Sequence, residues 1–372
     1  GRNKVPREIS IQTVRDRIAL RSLCNFLTEI YQGSIGFELP QNIIKKVKND
    51  LDNSQYDACI KLDVTNFYPS IKHKELVSRL GRKIRNPSIK SLILSAISSP
   101  TVSVSKPSDL PSARGVPQGL AVSNILAAIY LSNIDNRLNS MHGIKYYRYV
   151  DDVLIFCKLS EAQTISEQVI RMFRKIGLKV HDPIKAPEKS SIGSIINGFD
   201  YLGYQFYGNK VTARIGSVER LKHSLVSIFT SYKYSKQKSE AFLLWRLNLR
   251  ITGCIYENKS KGWLFFFAEI NDEILLHALD NYVKKLVKRF DVEVFPKKFV
   301  RAFKELSHRK YETNYIPNFD NYNLEQMKAV LIEYFGLKTD TYEDQEIEFE
   351  FKKRMSKQVK DLQVDVMDFS YS

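Results

Sequence analysis

Apolar residues recur along this chain with two spacings, and the change from one to the other marks its organisation. Val14, Ile18, Leu20, Leu27 and Ile30 return at helical spacing, which predicts an amphipathic helix. The alternating residues 2–11 ahead of it read as a strand, and residues 43–51 behind it as a short helix within a polar connection. Residues 73–99 predict one or two helices broken near Asn86-Pro87, because the residue before a proline avoids the helical region. Ser- and Pro-rich residues 98–111 predict a mobile loop or hairpin. Residues 123–134 are apolar nearly all round, as suits a helix buried beneath a sheet. Residues 161–176 place Ile165, Val169 and Phe173 on one helical face, with Gly177 as a C-cap before a strand.

Period-two and continuous apolar runs carry the chemistry. Residues 145–156 set aromatic and β-branched residues on both sides of Asp151-Asp152, predicting two strands joined by a tight turn at residues 150–152. Adjacent carboxylates between apolar strands repel unless a cation compensates them, so a divalent metal is their natural partner. A solvated Asp-Asp turn is the bland alternative. A second acid in a matching context weighs against it: an apolar run enters from Cys59 and ends on Asp63, with Pro69 stopping any strand. One acid from a central strand and two from a neighbouring hairpin can hold two Mg²⁺ ions about 4 Å apart, as in-line phosphoryl transfer requires.

Composition narrows the setting. A chain of 372 residues with 43% hydrophobic residues can bury a large core. No apolar run approaches a membrane span, no secretory signal is visible, and Cys24, Cys59, Cys157 and Cys254 lack metal-like spacing; the expectation is a cytoplasmic protein with reduced thiols and no membrane partner. The formal charge is +16, but residues 320–372 hold 7 basic and 12 acidic side chains, leaving +21 on the rest. A body so basic suits a polyanion.

Tyr149-Val150-Asp151-Asp152, Asp63 with Tyr68 five residues on, and Arg114-Gly115-Val116-Pro117-Gln118-Gly119 between them resemble the palm motifs of reverse transcriptases, in the family's order. The style of Asn66-Phe67-Tyr68-Pro69-Ser70-Ile71 is similar to bacterial reverse transcriptases of the defence-associated, abortive-infection "unknown group". The resemblance covers residues 1–205 firmly. It implies an α+β right-hand polymerase with fingers, an antiparallel-sheet palm and a helical thumb. It also implies more chain ahead of residue 1.

By that resemblance Asp63, Asp151 and Asp152 hold the metals, two Mg²⁺ with Mn²⁺ as a substitute, and the Val64 carbonyl is a further ligand. Tyr68 packs under the sugar and excludes a 2′-hydroxyl; Phe67 points into the core. Gln118 and Gly119 line the nucleotide pocket, and Lys4 and Arg7 are candidates to clamp the triphosphate or, alternatively, solvate a strand face. Arg15-Asp16-Arg17 reads as an ion pair at a helix start. Lys189 is the candidate acid for the departing pyrophosphate, with Lys185 competing because residues 182–185 look inserted. Tyr201, Leu202 and Gly203 resemble the primer grip, although aromatics there also suit plain sheet core.

From about residue 216 strands give way to helical patterns at 218–232, 239–250 and 271–290, and residues 216–310 carry 19 basic against 10 acidic residues. This suits a thumb tracking a nucleic-acid backbone, with Lys284, Lys285, Lys288 and Arg289 as its contacts. Trp263 and residues 265–267 read as thumb core. The expected division is fingers over 1–57, palm over 58–215 with a fingers insertion at about 73–114, thumb over 216–319 and an acidic helical extension over 320–372. That extension covers the basic groove, meets a partner or is a solvated helix.

The expected partners are an RNA template, including a non-coding RNA, dNTPs and the DNA product, with a second copy or a second reverse transcriptase subunit as further candidates. The expected activity is RNA-directed DNA synthesis in anti-phage defence. Untemplated or protein-primed DNA synthesis, an RNA-binding scaffold and an RNA-dependent RNA polymerase are the alternatives; Tyr68 and the Tyr-Val-Asp-Asp box disfavour the last.

Overall fold

The computed structural model describes residues 9–36, 38–51, 55–102 and 109–366. It divides into two compact units, Gly1–Ile43 with Asn49–Asn197 and Ile44–Lys48 with Gly198–Ser372.

The first unit opens on α1 (Val14–Ile30), whose N-cap Thr13 side chain accepts from Asp16 N–H and whose Leu20, Leu23 and Leu27 are buried. Asp16 also pairs with exposed Arg15 at 3.7 Å, so this acid belongs to the helix start. Residues 9–13 form no strand, contrary to the alternation; Ser10 N–H donates to the Gln118 carbonyl and Gln12 Nε2 to the Gly119 carbonyl. The rest of the predicted strand, and Lys4 and Arg7 with it, lies outside the described residues, as do residues 103–108 of the predicted loop. α2 (Pro40–Leu51) follows, then β1 (Ala58–Thr65).

β1 runs two residues past Asp63 instead of ending there, because Val64 and Thr65 still pair with Val180 and Lys179. It stops at Asn66, whose left-handed backbone (φ 47°) turns the chain into α3 (Phe67–Ser70). α4 (His73–Leu80) and α5 (Pro87–Ser98) split where the Asn86-Pro87 break predicts, with the Asn86 side chain capping α5. α6 (Ser123–Asn139) buries every residue from Ile125 to Leu131, the all-round apolar pattern of a central helix.

The hairpin of β2 (Lys145–Tyr149) and β3 (Asp152–Cys157) lies beside β1, with β3 against it. After α7 (Ala162–Lys175), β4 (Lys179–Val180) and β5 (Ser191–Ser194) both pair with the other edge of β1. They are one antiparallel strand interrupted by residues 181–190, which bulge out opposite Leu62 and Asp63. β1 is therefore the centre of the sheet and the covered edge of neither side. Cys59 and Cys157 face each other's strands inside it, and burial pushes their thiols up to about 11 and about 12, so both stay protonated.

The second unit begins with a meander, β6 (Phe199–Tyr201), β7 (Tyr204–Tyr207) and β8 (Lys210–Ala213). α8 (Ile215–Lys233) and α9 (Glu240–Thr252) follow. Strands do not cease there: β9 (Cys254–Tyr256) and β10 (Lys259–Lys261) form a hairpin whose turn residues Glu257 and Asn258 both take positive φ. α10 (Trp263–Phe266) places Trp263 Nε1–H on Ser217 Oγ at 3.1 Å in the buried interior. α11 (Glu273–Phe290) and α12 (Phe299–Arg309) then lead to α13 (Leu324–Phe335) and α14 (Asp344–Gln363).

α14 is no solvated helix. Its Ile347, Phe351, Met355, Val359 and Leu362 share a core with Leu249, Cys254 and Tyr256. Among the described residues no helix is long and apolar enough to cross a membrane. Truncating Phe351 to alanine removes a side chain only 1% exposed and is expected to cost about 3–5 kcal/mol. A urea-unfolding midpoint unchanged in Phe351→Ala would show that the acidic segment is dispensable to this core.

Candidate active site

The geometry starts from the register. β1 and β3 pair so that Asp63 stands directly across from Asp152, and Asp151 sits at the tip of the β2–β3 turn. Like charges directly opposite in a sheet repel. Asp63 is consequently held by several hands. Its N–H donates to Ser190 Oγ at 3.0 Å, its carbonyl accepts from His181 N–H at 3.0 Å, and its Oδ2 accepts from Lys189 Nζ at 3.0 Å. All three partners come from the bulge between β4 and β5. Lys185, the competing lysine, is exposed in a turn closed by the Asp182 side chain.

The acid turn is strained and braced. Val150 has φ 55°, a left-handed value that costs a β-branched residue about 1–3 kcal/mol. Its carbonyl accepts from Arg148 Nη1 at 2.7 Å, and the same guanidinium grips Asp135 of α6 through Nε at 2.8 Å and Nη2 at 2.5 Å. Burial works against the Arg148 charge, yet the Asp135 carboxylate more than offsets it and holds the guanidinium above its ordinary pKa. Tyr146 Oη adds a bond to Asp135 at 2.7 Å. Reading the sequence missed this pair; the lone acid of α6, near its C-terminal end, was its only signal.

Phe67 and Tyr68 are both buried, and Tyr68 Oη donates to Asn124 Oδ1 at 2.7 Å. Burial first, then the charge of Asp151, raises the Tyr68 pKa, so the phenol remains a donor. The Gly115 to Gly119 loop is tied to the same place: Val116 N–H donates to the Tyr68 carbonyl at 3.0 Å and His73 Nε2 meets the Gly115 carbonyl at 2.6 Å. Gln118 is half-buried and Gly119 exposed. Glycine at 119 is required by φ 101° and by the Ser10 carbonyl, which a Cβ would meet at 2.9 Å. The close approach explaining this glycine is thus to the N-terminal segment.

The remaining candidates lie in the second unit. Leu202 and Gly203 take φ 46° and 83° at the β6–β7 turn, while Tyr201 and Leu202 are buried with Phe199, Tyr204 and Phe206, so their side chains are sheet core. Lys284, Lys285, Lys288 and Arg289 are exposed on α11, whose Leu276, Leu279, Val283 and Leu286 face inward.

The family model for reverse transcriptase (RNA-dependent DNA polymerase) matches residues 2–206, more than half of the chain. The chain belongs to the reverse transcriptase family. Protein YkfC of Escherichia coli (strain K12) is 22% identical over 247 residues, covering 54% of this chain and 62% of that protein, so the chain spans less than two thirds of that relative. Among solved structures, the chain is similar to telomerase from Candida albicans in complex with a telomeric RNA fragment, at 14% identity, 92% of this chain, 54% of that chain and TM-score 0.44. It is similar also to the Sicinivirus 3Dpol RNA-dependent RNA polymerase, at 14% identity, 72% of this chain, 55% of that chain and TM-score 0.41. The fold of this reverse transcriptase chain is α+β, of the right-hand polymerase class.

Polymerases of this family generally use divalent metals. Among the described residues no three His, Cys, Asp or Glu side chains already converge as a ligand set. The donor chemistry nevertheless fits a hard cation: carboxylates on Asp63 and Asp151 with Asp152 beside them, and a lysine ammonium already resting on Asp63.

Removing Asp135 strands the mostly buried Arg148 charge, so Asp135→Ala is expected to destabilise the fold by about 3 kcal/mol and abolish activity. Replacing both partners, Asp135→Leu with Arg148→Met, should recover much of the stability but not the activity, since the Val150 carbonyl still loses its donor. Melting temperature and catalytic rate, measured on both variants, separate the two effects.

Proposed function

We propose that this chain is an RNA-directed DNA polymerase extending a primer 3′-hydroxyl with dNTPs. The observation carrying the reading is the cross-strand pair Asp63–Asp152 with Asp151 at the adjoining turn tip and Lys189 on Asp63. Asp63 and Asp151 would hold two Mg²⁺, or Mn²⁺ in their stead, with Asp152 and the Val64 carbonyl in support. Divalent cations bound there would neutralise charge on the α-phosphate and favour loss of the 3′-hydroxyl proton.

The chain's own residues do the rest. Tyr68 lies under the sugar, Gln118 and Gly119 border the base and sugar, and their attachment to α3 fixes one against the other. The 3′-oxygen bonds to the α-phosphorus as the bond to pyrophosphate breaks, and Lys189, released from Asp63, gives a proton to the leaving group. Tyr201, Leu202 and Gly203 support the primer end through backbone groups, and Lys284, Lys285, Lys288 and Arg289 meet nucleic-acid phosphates. Lys4 and Arg7 are retained as triphosphate contacts on motif resemblance alone.

The same resemblance carries the setting: a bacterial cytoplasm, anti-phage defence, and a non-coding RNA or a partner protein such as a second reverse transcriptase subunit or copy of this chain. Untemplated or protein-primed synthesis and an RNA-binding scaffold are distinguished by experiment.

Incorporation of each labelled dNTP, singly and together, with and without co-purifying RNA, tests the proposal. Synthesis that requires RNA and Mg²⁺ and stops on chelation is expected. Asp151→Asn should lower the rate at least about a thousandfold while leaving the melting temperature within a few degrees. Wild-type synthesis by Asp151→Asn would refute the assignment. Synthesis surviving RNA removal would favour untemplated or protein-primed chemistry.

A further inference from the structure

Tyr68 is the residue on which sugar choice rests in the proposed reaction, and its hydroxyl is anchored by a side chain outside the motifs. Asn124, in the first turn of α6, accepts that hydroxyl at 2.7 Å. Next to the ring is a cavity of about 160 Å³ bordered by Gly36, Glu38, Asn124, Ala128, Arg148 and Val150. A cavity near 150 Å³ is large enough to admit benzene. The Tyr68 ring therefore has somewhere to go. Its backbone is fixed by Val116 N–H at the Tyr68 carbonyl, which leaves side-chain rotation as its freedom. Ala127 and Ala128 form the small-residue part of the cavity wall, with Phe67 and Tyr149 completing it.

We propose that Asn124 is a positioning residue for sugar selection: its amide oxygen tethers the Tyr68 hydroxyl and keeps the ring from relaxing into the adjoining cavity, so that a 2′-hydroxyl is excluded. The inference rests on the polymerase reading above and adds to it a residue and a physical device. A purely structural hydrogen bond would change stability, and overall rate with it, for both sugars alike. A tether on the selecting ring changes the ratio between them.

The test is single-nucleotide incorporation by the full chain, measuring kcat/KM for a dNTP and its matching rNTP. Asn124→Ala should reduce the preference for dNTP about tenfold, the effect of one neutral hydrogen bond. Tyr68→Phe, which keeps the ring and removes only the hydroxyl, should move the ratio in the same direction and serves if Asn124→Ala is insoluble. The double variant should be no worse than the more affected single variant, because one bond is lost in all three. Asn124→Asp retains an acceptor oxygen and should retain the preference. Synthesis with an unchanged ratio in both single variants, or losses that multiply in the double variant, overturns the inference alone. Failure of the wild-type chain to incorporate either sugar overturns the polymerase reading, and this inference with it.

Discussion

Asp63 and Asp152 stand across from one another in the β1–β3 register, with Asp151 next to Asp152, and anions so placed repel. Lys189, Ser190 and Arg148 around them either supply positive charge or hold the backbone that carries them. Lys189 supplies the charge from a bulge that opens the β1 edge at Leu62 and Asp63. The bulge is therefore more than an irregularity in β4–β5: without the missing ladder bonds, neither Ser190 Oγ nor the lysine would have access to Asp63. A sheet paired without interruption would leave the acid with two strand neighbours and no cation.

α6 does the positioning on the other side. Asn124 near its start holds Tyr68, and Asp135 near its end holds Arg148 and, through it, the strained Val150 turn. Eleven residues at about 1.5 Å each separate them, so one rod about 16 Å long orients both the selecting ring and the acid tip. Such a rod must not bend or slide, and its burial from Ile125 to Leu131 prevents both. The apolar run visible in the sequence is thus part of how the site is held.

What was legible in the sequence follows from range. The helices announced themselves by periodicity, and the structure adds side-chain caps at Thr13, Asn86, Ser239 and Asp272, both being settled within a few residues. The acid turn was legible because two carboxylates among aromatics are costly without a reason. The β9–β10 hairpin escaped notice: its strands are three residues each and its turn, Glu257-Asn258, has no glycine to flag it. Arg148–Asp135 and Tyr68–Asn124 span 13 and 56 residues, and no local pattern links such partners. Resemblance placed Gly119 at the nucleotide pocket, but what it approaches among the described residues, the Ser10 carbonyl, belongs to a segment that reads as an unrelated strand.

The acidity of residues 320–372 gains a local explanation that weakens any argument from net charge. Glu343, Asp344 and Glu346 sit at the N-terminus of α14, where a capping box and the helix dipole favour anions. Farther along, Glu348 and Glu350 precede Lys352 and Arg354 at the four-residue spacing that stabilises a helix. The most buried acid there, Asp365, is 1% exposed and pairs with Arg250 Nη1 at 2.7 Å. Such a pair is weak evidence for stability, but separating its partners would leave two buried charges uncompensated. Six of the twelve acids in this stretch thus serve a helix end, intrahelical pairs or one internal arginine within the second unit.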